Sequence, residues 1–186
     1  MEVVVDADVS KFLSSRYIYF DNDFLSILYR GVEVFNKVMP LFIDSFLFVD
    51  PFTRFEFLRG IYVPGEKEPM EKFIDSEAFT QPTNNNQIFQ NIQTNALQLS
   101  LIYSHKGFPK GAGTIDLLLA GRLMTQANFK PLLVTGNKKD YPSCVFDTKS
   151  IISIEQNDGQ MKPYCIVEFN QNKLEKCLSD LKQIHK

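Results

Sequence analysis

Short apolar stretches alternate with longer stretches of helical spacing, and this alternation constrains the fold of the chain more than any other feature. The strand-like stretches cover residues 17–20, 46–49, 132–134, 150–154 and 164–169. The helix-like stretches cover residues 24–30, 51–59, 69–79, 87–104, 115–127 and 173–184. Strands that alternate with helices predict an α/β fold, in which a mostly parallel central sheet carries helices on both faces.

The composition is that of one folded domain over residues 1–186. Hydrophobic residues make up 44% of the 186 residues, enough to bury a core in a chain of this length. No apolar run approaches the ~20 residues of a membrane-spanning helix, and the first residues lack the basic stretch of a secretory signal. The three cysteines and two histidines follow no zinc-ligand spacing and suggest no disulfide framework, so we expect a cytoplasmic protein.

Four acidic residues follow the predicted strands or open the predicted helices. Asp21 ends the first strand, Glu56 lies in the helix after the second strand, Asp116 opens an apolar helix, and Asp140 follows the third strand by five residues. Ligands bind beyond the carboxyl ends of the strands in parallel sheets, so we expect the four side chains to converge there. Taken alone, Asp116 could be a helix cap, and Glu56 could pair with a neighbouring arginine.

Converging carboxylates repel one another unless a cation lies between them. Mg²⁺ or Mn²⁺ suits such a site because each prefers oxygen ligands and retains water molecules. Neither histidine nor cysteine is among the candidates, which disfavours zinc. A hard cation of this kind polarises a phosphate and lowers the pKa of bound water, so the pattern favours phosphodiester hydrolysis.

The net charge of −2 argues at first against a polyanionic partner. A bound divalent cation reverses the local sign wherever acids cluster, so the total charge is a poor guide. Basic residues also occur in three close pairs, each of which could equally be plain solvated surface. The pairs are Lys106 with Lys110, Lys138 with Lys139, and Arg54 with Arg59.

Four segments carry the acids in an order that is typical of one family. Residues 17–25 form an apolar strand that ends in Asp21, followed by Asn22, Asp23 and an apolar helix. Residues 53–60 read Thr-Arg-Phe-Glu-Phe-Leu-Arg-Gly, residues 113–120 read Gly-Thr-Ile-Asp-Leu-Leu-Leu-Ala, and residues 133–141 read Leu-Val-Thr-Gly-Asn-Lys-Lys-Asp-Tyr. Together they resemble the motifs of the PIN-domain nucleases, and within them the toxins of VapC-type toxin–antitoxin pairs.

The resemblance implies a fold, an activity and partners. The fold would be a PIN-like three-layer α/β/α domain, with a motif-bearing core at about residues 17–141, an N-terminal extension over 1–16, and C-terminal strands and a helix over 142–186. The activity would be that of a metal-dependent endoribonuclease, which hydrolyses RNA phosphodiester bonds with Mg²⁺ or Mn²⁺. The resemblance also implies an antitoxin protein and a second copy in a homodimer as partners.

The resemblance further implies a role for each matching side chain. Asp21, Glu56, Asp116 and Asp140 would be catalytic. Of these, Asp21, Asp116 and Asp140 would hold the metal, and Glu56 would also ligate it, directly or through water. Four further residues would support them, with Asn137 sharing the role of Asp140 and Thr135 orienting its loop or Asp21. These supporting residues are Thr135, Asn137, Asp23 and Arg54.

Three alternatives stay open at this stage. A second apolar opening, Val3-Val4-Val5-Asp6, could make Asp6 the first acid in place of Asp21. A receiver-like signalling domain would need Asp50 as its phosphate acceptor and Thr135 as its switch hydroxyl. A catalytically inactive PIN-like domain would use the same fold for protein interaction.

Overall fold

The computed structural model describes residues 2–59, 65–105 and 112–184, and within these ranges the chain forms six β-strands and eight α-helices. The strands are β1 (Val3–Val5), β2 (Tyr17–Phe20), β3 (Phe46–Phe48), β4 (Leu132–Thr135), β5 (Phe146–Glu155) and β6 (Met161–Phe169). The helices are α1 (Val9–Leu13), α2 (Asn22–Arg30), α3 (Val32–Val38), α4 (Pro51–Arg59), α5 (Lys67–Ile74), α6 (Asn86–His105), α7 (Thr114–Thr125) and α8 (Gln171–Ile184). Short 3-10 helices cover Met39–Phe42, Ala127–Phe129 and Lys138–Asp140.

All six strands belong to one sheet, in the order β1-β5-β6-β4-β2-β3. Strand β2 pairs in parallel with β3 and β4, whereas the β1–β5, β5–β6 and β4–β6 pairs are antiparallel. The predicted mixture of helices and strands is therefore confirmed, but the prediction of a mostly parallel sheet is wrong. The physical reason is the turn between β5 and β6, which passes through Gly159 at φ +78° and leaves no length for the crossover that a parallel pair needs.

Apolar side chains cover both faces of the sheet because successive strand residues point in opposite directions. On one face, Phe20 and Val134 join a buried cluster with residues of α2 such as Phe24. On the other face, Tyr19 and Leu133 join a second cluster with residues of α6, α7 and α8. The parallel strands β2, β3 and β4 end at the same edge between these two layers, and that edge carries the candidate site.

Several predicted boundaries differ from those of the structure. Helix α7 begins at Thr114 after Gly113, one residue before the predicted start at residue 115. Strands β5 and β6 are longer than predicted, while β1, α1 and α3 were not among the predicted elements. Gly60 and most of the glycine-rich loop before α7, with Lys106 and Lys110, lie outside the described residues.

Helices α6 and α7 pack closely where Gly121 faces the backbone of α6. A Cβ atom at position 121 would overlap the carbonyl oxygen of Ile92 and lie 3.1 Å from the amide nitrogen of Ala96. We therefore expect Gly121→Ala to lower the free energy of unfolding by about 1–3 kcal/mol, because the obstacle is backbone and cannot rotate away. Urea denaturation checks this value, with Gln93→Ala on the exposed side of α6 as a control that should change it by less than about 0.5 kcal/mol.

None of the helices among the described residues combines the length and the apolar character needed to cross a membrane.

Candidate functional site

Asp21 lies directly after β2 and is almost fully buried, with 6% of its surface exposed. One carboxylate oxygen accepts a hydrogen bond from the Phe24 amide at 3.0 Å, so Asp21 caps α2. The other oxygen accepts a short hydrogen bond from the hydroxyl of Thr135 at the end of β4. The side chain is therefore fixed between two adjacent parallel strands, at their carboxyl ends.

The loop after β4 holds Asn137 and Asp140 in one hydrogen-bonded unit. The Thr135 hydroxyl accepts a hydrogen bond from the backbone amide of Asn137 at 2.9 Å, and the Asn137 side chain donates a short hydrogen bond to the Asp140 carboxylate. Tyr103 of α6 donates to the Asp140 carbonyl oxygen at 2.8 Å. Thr135 thus contacts both Asp21 and the loop that presents Asp140.

Asp116 lies in the first turn of α7, and its carboxylate turns back over Gly113. A Cβ atom at Gly113 would lie 2.7 Å from Asp116 Oδ2, so a side chain at this position would require the carboxylate to move. Helix α7 is buried from Leu119 to Met124 and, apart from Arg122, is apolar there, which leaves Asp116 at the boundary between the core and the edge of the sheet.

Glu56 is half-buried in α4 and forms a 3.3 Å ion pair with Arg59 one turn later. The neighbouring Arg54 points elsewhere and forms two hydrogen bonds with Asp75, at 3.0 and 3.1 Å. Of the two arginines that could pair with Glu56, the structure therefore selects Arg59. It also places Arg54, predicted as a supporting residue, beside Asp75.

The carboxylates raise one another's pKa values, and both Asp116 and Asp23 take part in more than one of these effects. The pKa of Asp116 is raised to about 6, first by burial and then by the charges of Asp140, Glu56 and Asp23. The pKa of Asp21 is raised to about 7, again chiefly by burial, with smaller contributions from the charges of Asp23 and Asp116. Burial also raises the pKa of Asp140, against the opposing effects of Lys139 and Asn137.

The donor set has the chemistry of a hard divalent cation site, although it is an open one. All candidate donors are oxygen atoms, and the carboxylates of Asp21 and Asp116 carry the raised pKa values that a nearby cation would reverse. Across the described ranges, no three His, Cys, Asp or Glu side chains are grouped closely enough to form a metal cage. Mg²⁺ is commonly held by one or two carboxylates while it keeps several water molecules, so an open arrangement suits it.

A lysine that the sequence analysis did not single out also reaches the site. Lys162 of β6 forms a 2.9 Å ion pair with Asp23, and its Nζ atom lies 5.3 Å from the centre of the Tyr164 ring. A side chain at Gly136 would lie 3.0 Å from Asp23 Oδ2 and 3.1 Å from Lys162 Cε, so this pair packs directly on the loop after β4. No motif marks Lys162, which reaches this edge because β6 pairs antiparallel with β4.

Two of the alternative acids lie in other surroundings. Asp6 follows β1 at the opposite edge of the sheet, where it accepts hydrogen bonds from Ser150 and the Ile151 amide. Asp50 follows β3, is 0% exposed, and forms a 2.7 Å ion pair with the buried Arg122. Neither acid belongs to the group around Asp116, and Asp50 lacks the exposure that a phosphate acceptor requires.

Compared with known proteins, the chain matches no family model, no curated protein and no solved structure. The resemblance to the PIN-domain nucleases therefore depends on the four motifs and on the placement of their acids.

Proposed function

We propose that this protein is a metal-dependent endoribonuclease with a PIN-like active site at the carboxyl edge of β2, β3 and β4. One observation carries the proposal: hydrogen bonds through Thr135 and Asn137 join Asp21 to Asp140 at the end of β4, although the two acids are far apart in the sequence. The charges of Asp140 and Glu56 also raise the pKa of Asp116. Buried like charges are costly, so their concentration at one edge favours a functional role over a stabilising one. An antitoxin protein, a homodimer and a cytoplasmic location belong to the same proposal.

The residues divide the work between binding the cation and holding its ligands in place. Asp21, Asp116 and Asp140 would hold Mg²⁺ or Mn²⁺, directly or through water. When bound, the cation would polarise the scissile phosphate and favour ionisation of the attacking water. Thr135 fixes Asp21 by its hydrogen bond, and Asn137 fixes Asp140, so both carboxylates are oriented before a substrate arrives.

Two lysine side chains beside the acids could contact the phosphates of an RNA strand. Lys139 is exposed beside Asp140, and Lys162 lies at the rim with 37% of its side chain exposed. Lys138 instead donates to the Tyr141 carbonyl oxygen at 2.5 Å and so belongs to the loop itself. The exposed Lys139 and the half-buried Lys162 would contact the phosphates that flank the scissile bond, which supports a polyanionic substrate despite the net charge of −2.

The test is cleavage of a labelled single-stranded RNA by the native chain with Mn²⁺, with Mg²⁺, and with EDTA. We expect cleavage with either cation and none with EDTA, and we expect Asp116→Asn to be as inactive as the native chain in EDTA. Mn²⁺ should also raise the melting temperature of the native chain, and more at pH 8 than at pH 6, because Asp21 and Asp116 must lose protons to bind it.

The matched control is Asp44→Asn. Asp44 is exposed and precedes β3, so it lies at the opposite end of the parallel strands from the candidate site. This variant should keep both the cleavage activity and the Mn²⁺-dependent rise in melting temperature. Equal cleavage by the native chain and Asp116→Asn would refute the proposed function.

A further inference from the structure

A cavity of about 350 Å³ lies between α2, α4 and the start of α5, beside the candidate site. Its volume falls within the range of small-molecule pockets in proteins, which is roughly 300–1,000 Å³. Asn22 and Glu56 both line the cavity, and Asn22 directly follows Asp21 in the chain. The cavity therefore adjoins two of the segments that carry the proposed catalytic acids.

One face of α2 forms a wall of this cavity. Asn22, Ser26 and Tyr29 recur at the spacing of helical turns, so their side chains project from one side of the helix. The Tyr29 ring packs edge-on against Phe57, with the ring centres 5.8 Å apart, and it also contacts Phe73 at 5.4 Å. The wall therefore combines a fixed aromatic ring with polar groups, a combination that stacks on an unpaired base and reads its edge.

The other elements contribute carboxylates to the cavity. Glu56 belongs to α4, and Glu66 immediately precedes α5. An ionised carboxylate accepts hydrogen bonds and donates none, so these side chains repel phosphate groups and favour a ligand that presents N–H groups. The exposed Arg30 also lines the cavity and can bind the phosphate of a nucleotide whose base lies inside. The lining thus suits a neutral base with hydrogen-bond donors on its edge.

We propose that this cavity binds a guanine base of the RNA, next to the scissile phosphate, and that the Glu66 carboxylate accepts hydrogen bonds from the base. This inference rests on the proposed function, because the acids beside the cavity would bind the same RNA. Seven residues separate Asn22 from Tyr29, which is about 10 Å along a helix. A base stacked on Tyr29 would therefore lie about one nucleotide from Asp21.

The pattern of donors on each base explains the choice of guanine. Guanine presents a ring N–H and an amino group side by side, and these match the two oxygen atoms of one carboxylate. Adenine and cytosine each place an amino group beside a nitrogen that accepts, so they offer a carboxylate one donor where guanine offers two. Uracil has no amino group, and its ring N–H lies between two carbonyl oxygens that the carboxylate would repel.

The cleavage test uses RNA oligonucleotides of uridine that carry a single guanosine, adenosine or cytidine, together with the all-uridine RNA. With Mn²⁺, we expect the native chain to cleave next to guanosine about 10-fold faster than it cleaves the all-uridine RNA. Glu66→Gln should lose most of this preference, because its amide group turns a donor toward the donors of guanine, and it should keep the native rate on uridine. Glu68→Gln is the matched control, since Glu68 is exposed on α5 and does not line the cavity.

Nucleoside binding tests the cavity without cleavage. In EDTA, titration by saturation-transfer NMR should show that the native chain binds guanosine about 10-fold more tightly than uridine. Ser26→Leu fills the cavity from α2 and should lose this binding, and urea denaturation checks that the variant is folded. Cleavage of RNA without any preference for guanosine in either assay would overturn the inference and leave the proposed function intact. Selective binding of guanosine by a chain that cleaves no RNA would refute the proposed function alone, and the absence of both would refute both.

Discussion

The Asp21→Asn variant is expected to be more stable than the native chain at pH 8, and to cleave RNA about 100-fold more slowly or worse. The gain in stability follows from the pKa of Asp21, which folding raises from 3.8 to about 7, chiefly by burial. The folded chain then binds this proton more tightly than the unfolded chain does. Its contribution to stability is fully present below about pH 4, is lost as the pH rises toward 7, and stays lost above that. The loss is on the order of a few kcal/mol.

Asparagine fits the site well enough to make this a test of charge alone. It caps helices as well as aspartate does, so the hydrogen bond from the Phe24 amide can persist. The Thr135 hydroxyl can rotate to accept from the new amide group, because a hydroxyl has two lone pairs. The substitution therefore removes a buried charge without opening a cavity.

Urea denaturation at pH 5, 6, 7 and 8 measures the effect on stability. The native chain should lose stability between pH 5 and pH 7, and Asp21→Asn should show a smaller loss. Asp44→Asn, an exposed change at the far end of the strands, should follow the native curve. If Asp21→Asn proves less stable than the native chain at pH 8, Asp21 serves mainly as a structural cap.

If Asp21→Asn also loses cleavage, the charge that lowers stability when it is buried is the charge that activity requires. A residue that lowers stability when ionised, yet is held in place by hydrogen bonds from Phe24 and Thr135, is expected where activity requires the charge. A more stable variant that still cleaves RNA at the native rate would separate the two properties and remove Asp21 from the catalytic set.

The parallel half of the sheet could be predicted because local signals determine it. The stretch 17–20 is apolar and ends in an acid that caps α2, and Pro51 marks the first residue of α4. Strands joined by long helical connections usually run in parallel, and β2, β3 and β4 do so and end at one edge. That inference predicts Asp21 and Asp140 at one edge, and hydrogen bonds through Thr135 and Asn137 link these two residues in the structure.

The antiparallel half was missed although a local signal for it exists. Residues 157–159 read Asn-Asp-Gly, and the Asp-Gly pair is a strong hairpin signal between two strands of alternating character. Gly159 adopts φ +78°, the left-handed backbone that such turns need. The apolar patterns of β5 and β6 were recognised, but strand pattern alone does not determine direction.

Contacts between distant segments could not be predicted from the sequence, because no local pattern indicates which residue is the partner. Arg122 lies within an apolar helix, and its partner Asp50 is 72 residues away. Lys162 reaches Asp23 across 139 residues, through a strand pairing that was not predicted. Arg54 was predicted to support the acids because it lies in the motif of Glu56, but residues two apart on a helix point in different directions, and Arg54 pairs with Asp75.

Replacing Arg122 by methionine is expected to lower the free energy of unfolding by about 3–5 kcal/mol. The Nε atom of Arg122 lies 2.7 Å from Asp50 Oδ2, and the two side chains are 1% and 0% exposed. Arg122 also donates to the side chain of Asn84. Methionine fills much of the same volume, so the loss comes mainly from the acid that is left without a cation in the core.

The structure gives this pair a role in the geometry of the candidate site. Arg122 belongs to α7, which carries Asp116, and Asp50 immediately precedes α4, which carries Glu56. The ion pair therefore ties the helix of one acid to the start of the helix of another. Arg122→Met should weaken Mn²⁺ binding as well as stability, because the two acids lose a common anchor.

A double-mutant cycle measures the interaction between Arg122 and Asp50 separately from their contacts with other residues. Asp50→Asn keeps an acceptor for the Phe52 amide and removes only the charge, so combining it with Arg122→Met should recover part of the loss. We expect an interaction free energy of about 1–3 kcal/mol from the cycle. Arg54→Met is the matched control, since its pair with Asp75 is partly exposed and should contribute less than about 1 kcal/mol. An Arg122→Met loss no larger than that of Arg54→Met would show that Asp50 is neutral in the folded chain and that the pair does not anchor α7.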